Sequence, residues 1–191
     1  SFSTVVDVSS IGTNFYADMG FLQRIENFDA LRDTTIRLGY HSLFHQMEYV
    51  LYPKKGKVNQ HSLGLETFVV WNPNGSFNER VNSLSYEMEL KNTGGLSVSV
   101  DDWSTNLLFP FRFGEGGAPF PVGNYRYTQA EINYETDGRK TLAGEAGIRY
   151  GSFYNGTLFQ LSARGVYRVQ PWGNFSLNVE YNRLQFPQPF A

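Results

Sequence analysis

Asn174-Phe175-Ser176-Leu177-Asn178-Val179-Glu180-Tyr181-Asn182 decides the fold class. Phe175, Leu177, Val179 and Tyr181 fall on every second position, and polar residues fill the places between them. A period of two sends successive side chains to opposite sides of an extended chain, so this stretch is a strand with one apolar and one polar face. The same alternation runs through Leu84, Tyr86, Met88 and Leu90, through Leu142, Gly144, Ala146, Ile148 and Tyr150, and through Phe159, Leu161, Ala163, Gly165, Tyr167 and Val169. Turn-forming groups separate such runs: Pro53-Lys54-Lys55-Gly56, Asn72-Pro73-Asn74-Gly75, Asn92-Thr93-Gly94-Gly95, Asp137-Gly138-Arg139-Lys140 and Pro171-Trp172-Gly173-Asn174. Each supplies Gly or Asn for positive φ, or Pro to preset a turn, between two strand patterns.

The outcome is an all-β antiparallel meander with strands expected near residues 34–50, 58–71, 80–91, 96–108, 123–136, 141–150, 157–169 and 174–185. In the fifth of these, Tyr125 and Tyr127 hand over to Ala130, Ile132 and Tyr134; the change of parity predicts a bulge. Residues 109–123, rich in Pro, Gly and Phe, read as a long loop. Residues 1–33 show no sustained alternation and are expected to lead into the barrel strands of 34–191.

Composition removes several classes of function. Lys and Arg number 16 against 18 Asp and Glu, which gives no field to attract nucleic acid. Aromatic content of 16% is too high for a disordered chain, and no apolar run approaches the roughly 20 residues of a membrane-spanning helix. The absence of cysteine excludes disulfides and thiolate metal sites.

Two architectures accommodate a meander with one apolar face: a soluble barrel or sandwich with that face inward, and a transmembrane barrel with that face toward lipid. Expected strand lengths suit a tilted crossing of the hydrocarbon layer. Tyr150, Phe153, Tyr154, Tyr167, Trp172, Phe175 and Tyr181 stand near strand ends, where interfacial girdles place aromatics. The opposite face carries Glu145, Arg149, Arg164, Arg168 and Glu180, with Arg183 assigned to it as well, and mixed charges of this kind suit a watery lumen.

The succession Asp18-Met19-Gly20-Phe21-Leu22-Gln23-Arg24, Trp71-Asn72-Pro73-Asn74-Gly75, Pro119-Phe120-Pro121-Val122-Gly123-Asn124-Tyr125 and Gly151-Ser152-Phe153-Tyr154-Asn155-Gly156-Thr157 resembles the C-terminal barrel domain of a Bacteroidota family. Members of that family typically join an N-terminal β-sandwich, similar to family 9 carbohydrate-binding modules, to an outer-membrane barrel of unassigned function. The resemblance implies an outer-membrane location in a Gram-negative bacterium. It also implies outer-membrane lipid as the surroundings, with further outer-membrane or periplasmic proteins, or glycan, as partners. The sandwich is absent here, and the family pattern would continue into further strands after Ala191, so a fragment of a longer protein is expected.

Candidate chemistry is sparse. His41 and His45 share a strand face and could reach one metal with Glu48 or Glu66, although a polar histidine facing the lumen is the plainer reading. His41-Ser42 and His61-Ser62 cannot each form a nucleophile–base pair, since neighbouring strand residues point apart; His41 with Ser62 across strands is the remaining combination. Glu87 and Glu89, and Asp101 and Asp102, carry carboxylates at spacings that a solvated face explains without chemistry. No catalytic residue, metal ligand or cofactor is therefore assigned. The candidate contact surface for a partner or glycan is aromatic: Trp103, Phe109, Phe111, Phe113 and Phe120. The expected function is a structural, anchoring or transport barrel of the outer membrane, with an envelope carbohydrate-binding or glycan-processing protein and a soluble β-sandwich binding module as alternatives.

Overall fold

The computed structural model describes residues 1–16, 24–112 and 117–190. Its strands are β1 (Phe2–Ile11), β2 (Glu26–Asp29), β3 (Thr34–Arg37), β4 (Tyr40–Leu51), β5 (Val58–Trp71), β6 (Phe77–Leu90), β7 (Gly95–Leu107), β8 (Gly123–Glu135), β9 (Leu142–Phe153), β10 (Gly156–Val169) and β11 (Gly173–Gln185). Nine of them form one antiparallel meander in the order β1-β4-β5-β6-β7-β8-β9-β10-β11, and β2 and β3 make a separate hairpin.

The eight strands read from the sequence are present, with two changes at the start. The expected strand of 34–50 is broken at Leu38–Gly39, where the Leu38 N–H donates to the Ile25 carbonyl and turns the chain out of the hairpin. Part of the expected lead-in is itself a sheet strand: β1 pairs with β4 from Phe2↔Tyr49 to Ile11↔Tyr40. Val5 and Val6 stand side by side on opposite faces of β1, which hides its alternation.

The register divides the side chains into two faces. Partners such as Leu84↔Val100, Val98↔Ile132, Ile132↔Ile148, Ile148↔Leu161 and Leu161↔Tyr181 run across the sheet on one side. Ser62↔Glu87, Glu87↔Ser97, Ser97↔Asn133, Asn133↔Gly147 and Gly147↔Ser162 run across the other. The polar side is concave. Gln60 of β5 and Glu180 of β11 line one cavity of about 700 Å³ together with residues of every strand between theirs. The apolar side is convex and open, with Leu84 59%, Ile132 53%, Ile148 50%, Leu177 69% and Phe175 68% exposed.

The expected bulge in β8 is absent: β7 and β8 pair without a shift from Gly95↔Glu135 to Leu107↔Gly123. Instead the aromatics change sides along a regular strand. Tyr125 and Tyr127 face the concave side near one end, and Ala130, Ile132 and Tyr134 face outward toward the other. The register does shift elsewhere, between β5 and β6, at Val58/Gln60 and at Val70/Trp71.

The two ends differ. Connections 52–57, 91–94, 136–141 and 170–172 lie at one end, here the turn end; 12–39, 72–76, 108–122 and 154–155 lie at the loop end. Strands β1 and β11 are the sheet edges, and both run from the turn end to the loop end.

Candidate functional site

The loop end of the concave side is filled. Phe120, which is 1% exposed, sits at the centre, with ring centroids 4.8 Å from Phe190, 5.1 Å from Phe186 and 5.5 Å from Tyr154. Tyr154 stacks on Tyr127 at 5.3 Å, and Tyr127 in turn stacks on Trp103 at 5.8 Å with the rings nearly parallel. The loop after β7 folds back to deliver Phe120, held by paired backbone hydrogen bonds with Phe111. The tail after β11 returns to the same point, where the Ala118 N–H donates to the Pro189 carbonyl.

The β2–β3 hairpin covers the neighbouring part of this end. Asp29, 2% exposed, accepts hydrogen bonds from the Leu31 and Arg32 backbone N–H groups and from the Arg32 side chain, which closes the hairpin turn. Arg24 pairs with Glu79 of β6 and lies 5.0 Å above the Phe68 ring of β5, tying the hairpin's start to the concave wall. The Ala30 N–H donates to the Pro110 carbonyl, joining hairpin and long loop.

The aromatic residues singled out from the sequence are thus brought together only in part. Trp103 and Phe120 belong to one cluster through Tyr127 and Tyr154; Phe111 supports Phe120 by its backbone; Phe109 lines a separate cavity of about 390 Å³ with Phe28, Tyr40 and Arg24. Phe113 lies outside the described residues, as do Asp18 to Gln23 of the first resemblance motif. Sequence reading missed Tyr127, Phe186 and Phe190, from β8 and the tail, and it set Phe153 and Tyr154 in an interfacial girdle, whereas both pack against Tyr127 in this cluster because the β9–β10 turn folds over the concave side. The one signal available was the parity change between Tyr127 and Ala130.

The turn end of the concave side stays open and polar. Glu87, Glu89, Glu135, Glu145, Arg164 and Glu180 line the large cavity there. Farther up the wall Arg149 pairs with Glu131, which also accepts from the Asn133 amide at 2.7 Å, and the Ser83 hydroxyl donates to Asp101 at 2.6 Å. At the rim the side chain of Arg139, and then its backbone N–H, hold the Asp137 carboxyl far below the ordinary carboxylate range. Thr93 adds a bond from the neighbouring turn.

Two assignments change face, and one candidate pair is divided between the faces. His41, His45 and His61 share parity with Leu43, Met47, Leu63 and Leu65 and so stand on the convex side, where they meet Ser10 at 2.9 Å, Thr4 at 3.2 Å and the Tyr86 hydroxyl at 2.7 Å. Ser62 lies on the concave side and donates to Glu48 at 2.6 Å, whereas His41 is on the convex side and pairs with Trp71 near the other end of β5, so the two cannot meet. Arg183 pairs with Phe159 and continues the Tyr181 side, so it belongs to the convex face. Among the described residues no three His, Asp or Glu side chains gather as a metal site.

Comparison with known proteins returns no matching family model, no matching curated protein and no matching solved structure.

Proposed function

We propose that this chain forms wall strands of a transmembrane β-barrel in the outer membrane of a Gram-negative bacterium, with a structural, anchoring or transport role in a larger envelope assembly. The observation that carries the reading is the inversion of polarity: the concave side is charged, and the convex side leaves Met47, Leu63, Leu84, Ile132, Ile148, Tyr167 and Leu177 open. A soluble sheet turns such a face inward, because a continuous exposed apolar surface of this extent drives association in water. Lipid chains are the solvent it matches.

The shape of the apolar band supports the same reading. It does not follow the hydrogen-bonded rows straight across the sheet. On β4 and β5 it includes Leu43↔Val69, above the polar His45↔Thr67 pair, whereas the same row continues through Arg80 and Ser104 to Arg126 on β8. On β9, β10 and β11 it extends down to Leu142↔Tyr167 and Tyr167↔Phe175. A slab of fixed thickness crossed by tilted strands produces such a drift, and barrel strands tilt by about 35–45°. The two longest connections between neighbouring strands of the sheet, 12–39 and 108–122, both lie at one end, as the long extracellular loops of such barrels do.

The test is gel migration of the full-length protein extracted from cell envelopes in detergent, with and without boiling. A band that shifts on boiling and fractionates with the outer membrane is the expected result. A soluble protein without a shift would overturn the proposal.

A further inference from the structure

We infer that the turn-end rim contacts an anionic lipid surface, the phosphate headgroups of the leaflet in which that end of the sheet sits; this rests on the membrane reading above. The rim is continuous. The Lys91 N–H donates to the Lys57 carbonyl, the Thr93 hydroxyl to Asp137, and the Arg168 guanidinium to the Lys140 carbonyl at 2.9 Å, which links the turns after β4, β6 and β8 to the end of β10.

Its charge is one-sided. Lys54, Lys55, Lys57, Lys91 and Lys140 are exposed, and among the described residues none of them is ion-paired. Asp137, the acid within these turns, is already neutralised by Arg139. The nearby acids Glu89, Glu135 and Glu145 line the concave cavity, the side that lipid does not reach. Toward the loop end Arg24, Arg37 and Arg126 are engaged with Glu79, Glu26 and Asp102, while Arg112 and Arg183 are exposed without an ion pair among the described residues and stand apart from one another, on the long loop and on β11.

The cations also adjoin the apolar band. Tyr52, 62% exposed, precedes the three lysines of the first turn, and Trp172, 87% exposed, occupies the last. Aromatic rings at the edge of an apolar belt followed by lysines that extend beyond it reproduce the order of a bilayer: acyl chains, interface, phosphates. Basic residues within a Debye length of an anionic leaflet are attracted additively, and salt weakens that attraction.

The experiment is insertion of the full-length protein, diluted from denaturant, into vesicles of phosphatidylcholine alone or mixed with phosphatidylglycerol, read by the heat-shifted band and repeated at high salt. The inference expects insertion about tenfold faster with the anionic lipid, and a preference that high salt removes. The combined Lys54→Gln, Lys55→Gln, Lys57→Gln and Lys140→Gln protein should insert into neutral vesicles like the parent but lose the preference. The matching set of Lys→Arg changes should keep it. Equal rates in both vesicles for the parent, or a preference that survives the Gln set, would overturn the inference. Failure to insert into either vesicle would instead overturn the membrane reading.

Discussion

Gln60 and Glu180 line the same cavity although five strands separate theirs in the sheet. That closeness measures the curl of the meander. Because the curl encloses the acids and leaves the apolar rows outside, the energetic meaning of an outward residue depends on whether water or lipid surrounds it.

Ile148 tests this directly. Arg in its place should cost about 2–4 kcal/mol in a bilayer, the range for a cation near the middle of a barrel's lipid face. On a water-exposed surface the same change is usually within about 0.5 kcal/mol. Thr157→Arg, on the polar part of the convex side near the loop end, should cost about 0–1 kcal/mol in lipid. Unfolding in vesicles reads both, and equal small effects would speak for water.

Phe120→Ala should destabilise the loop end by about 3–5 kcal/mol, since it removes the ring on which Tyr125, Tyr154, Phe186 and Phe190 converge. Trp103 fluorescence, coupled to this cluster through Tyr127, is the local probe. The expected record is an earlier denaturant midpoint with a changed Trp103 signal; an unchanged midpoint would show that the loop adds little to the fold.

Gly151 opposes Gln129, and a Cβ there would press on the Thr128 carbonyl oxygen and lie 2.6 Å from the Gln129 Cα. Backbone cannot yield as a side-chain tip can. Gly151→Val should therefore cost about 1–3 kcal/mol of overpacking in the thermal or denaturant midpoint. Gly165→Ala, with nothing within 4 Å of its Cβ, should be tolerated.

Asp137 gives the pH prediction. Arg139 depresses its carboxyl in the folded state, so the clamp contributes above the unfolded value and is lost only as pH falls through the lowered one. The carboxyl-carbon NMR shift should stay that of an ionised group through the pH range where free Asp titrates. Arg139→Ala should bring the midpoint back up toward that range. A wild-type midpoint at the ordinary value would refute the clamp.

The strand set and its two faces were legible because a period of two survives in any sequence that keeps one side apolar. The faces of individual residues were less so. Arg183 follows Tyr181 by two and the histidines keep step with leucines, yet polar chemistry argued for the lumen and register decided otherwise. The loop-end cluster was legible only at Trp103, Phe111 and Phe120. Its other members meet them through three separate returns of the chain, and such long-range packing leaves no periodic trace in sequence.

Nine is an odd number, and in a meander of nearest-neighbour antiparallel strands an odd count makes the first and last strands point the same way, as β1 and β11 do. Joining those edges directly would make a single parallel seam. A second copy inserted in the same orientation would also meet this sheet in parallel, its β1 against this β11. A barrel with only antiparallel neighbours thus takes these nine strands plus an odd number more, and the strand beside β11 must descend from the loop end toward the basic rim.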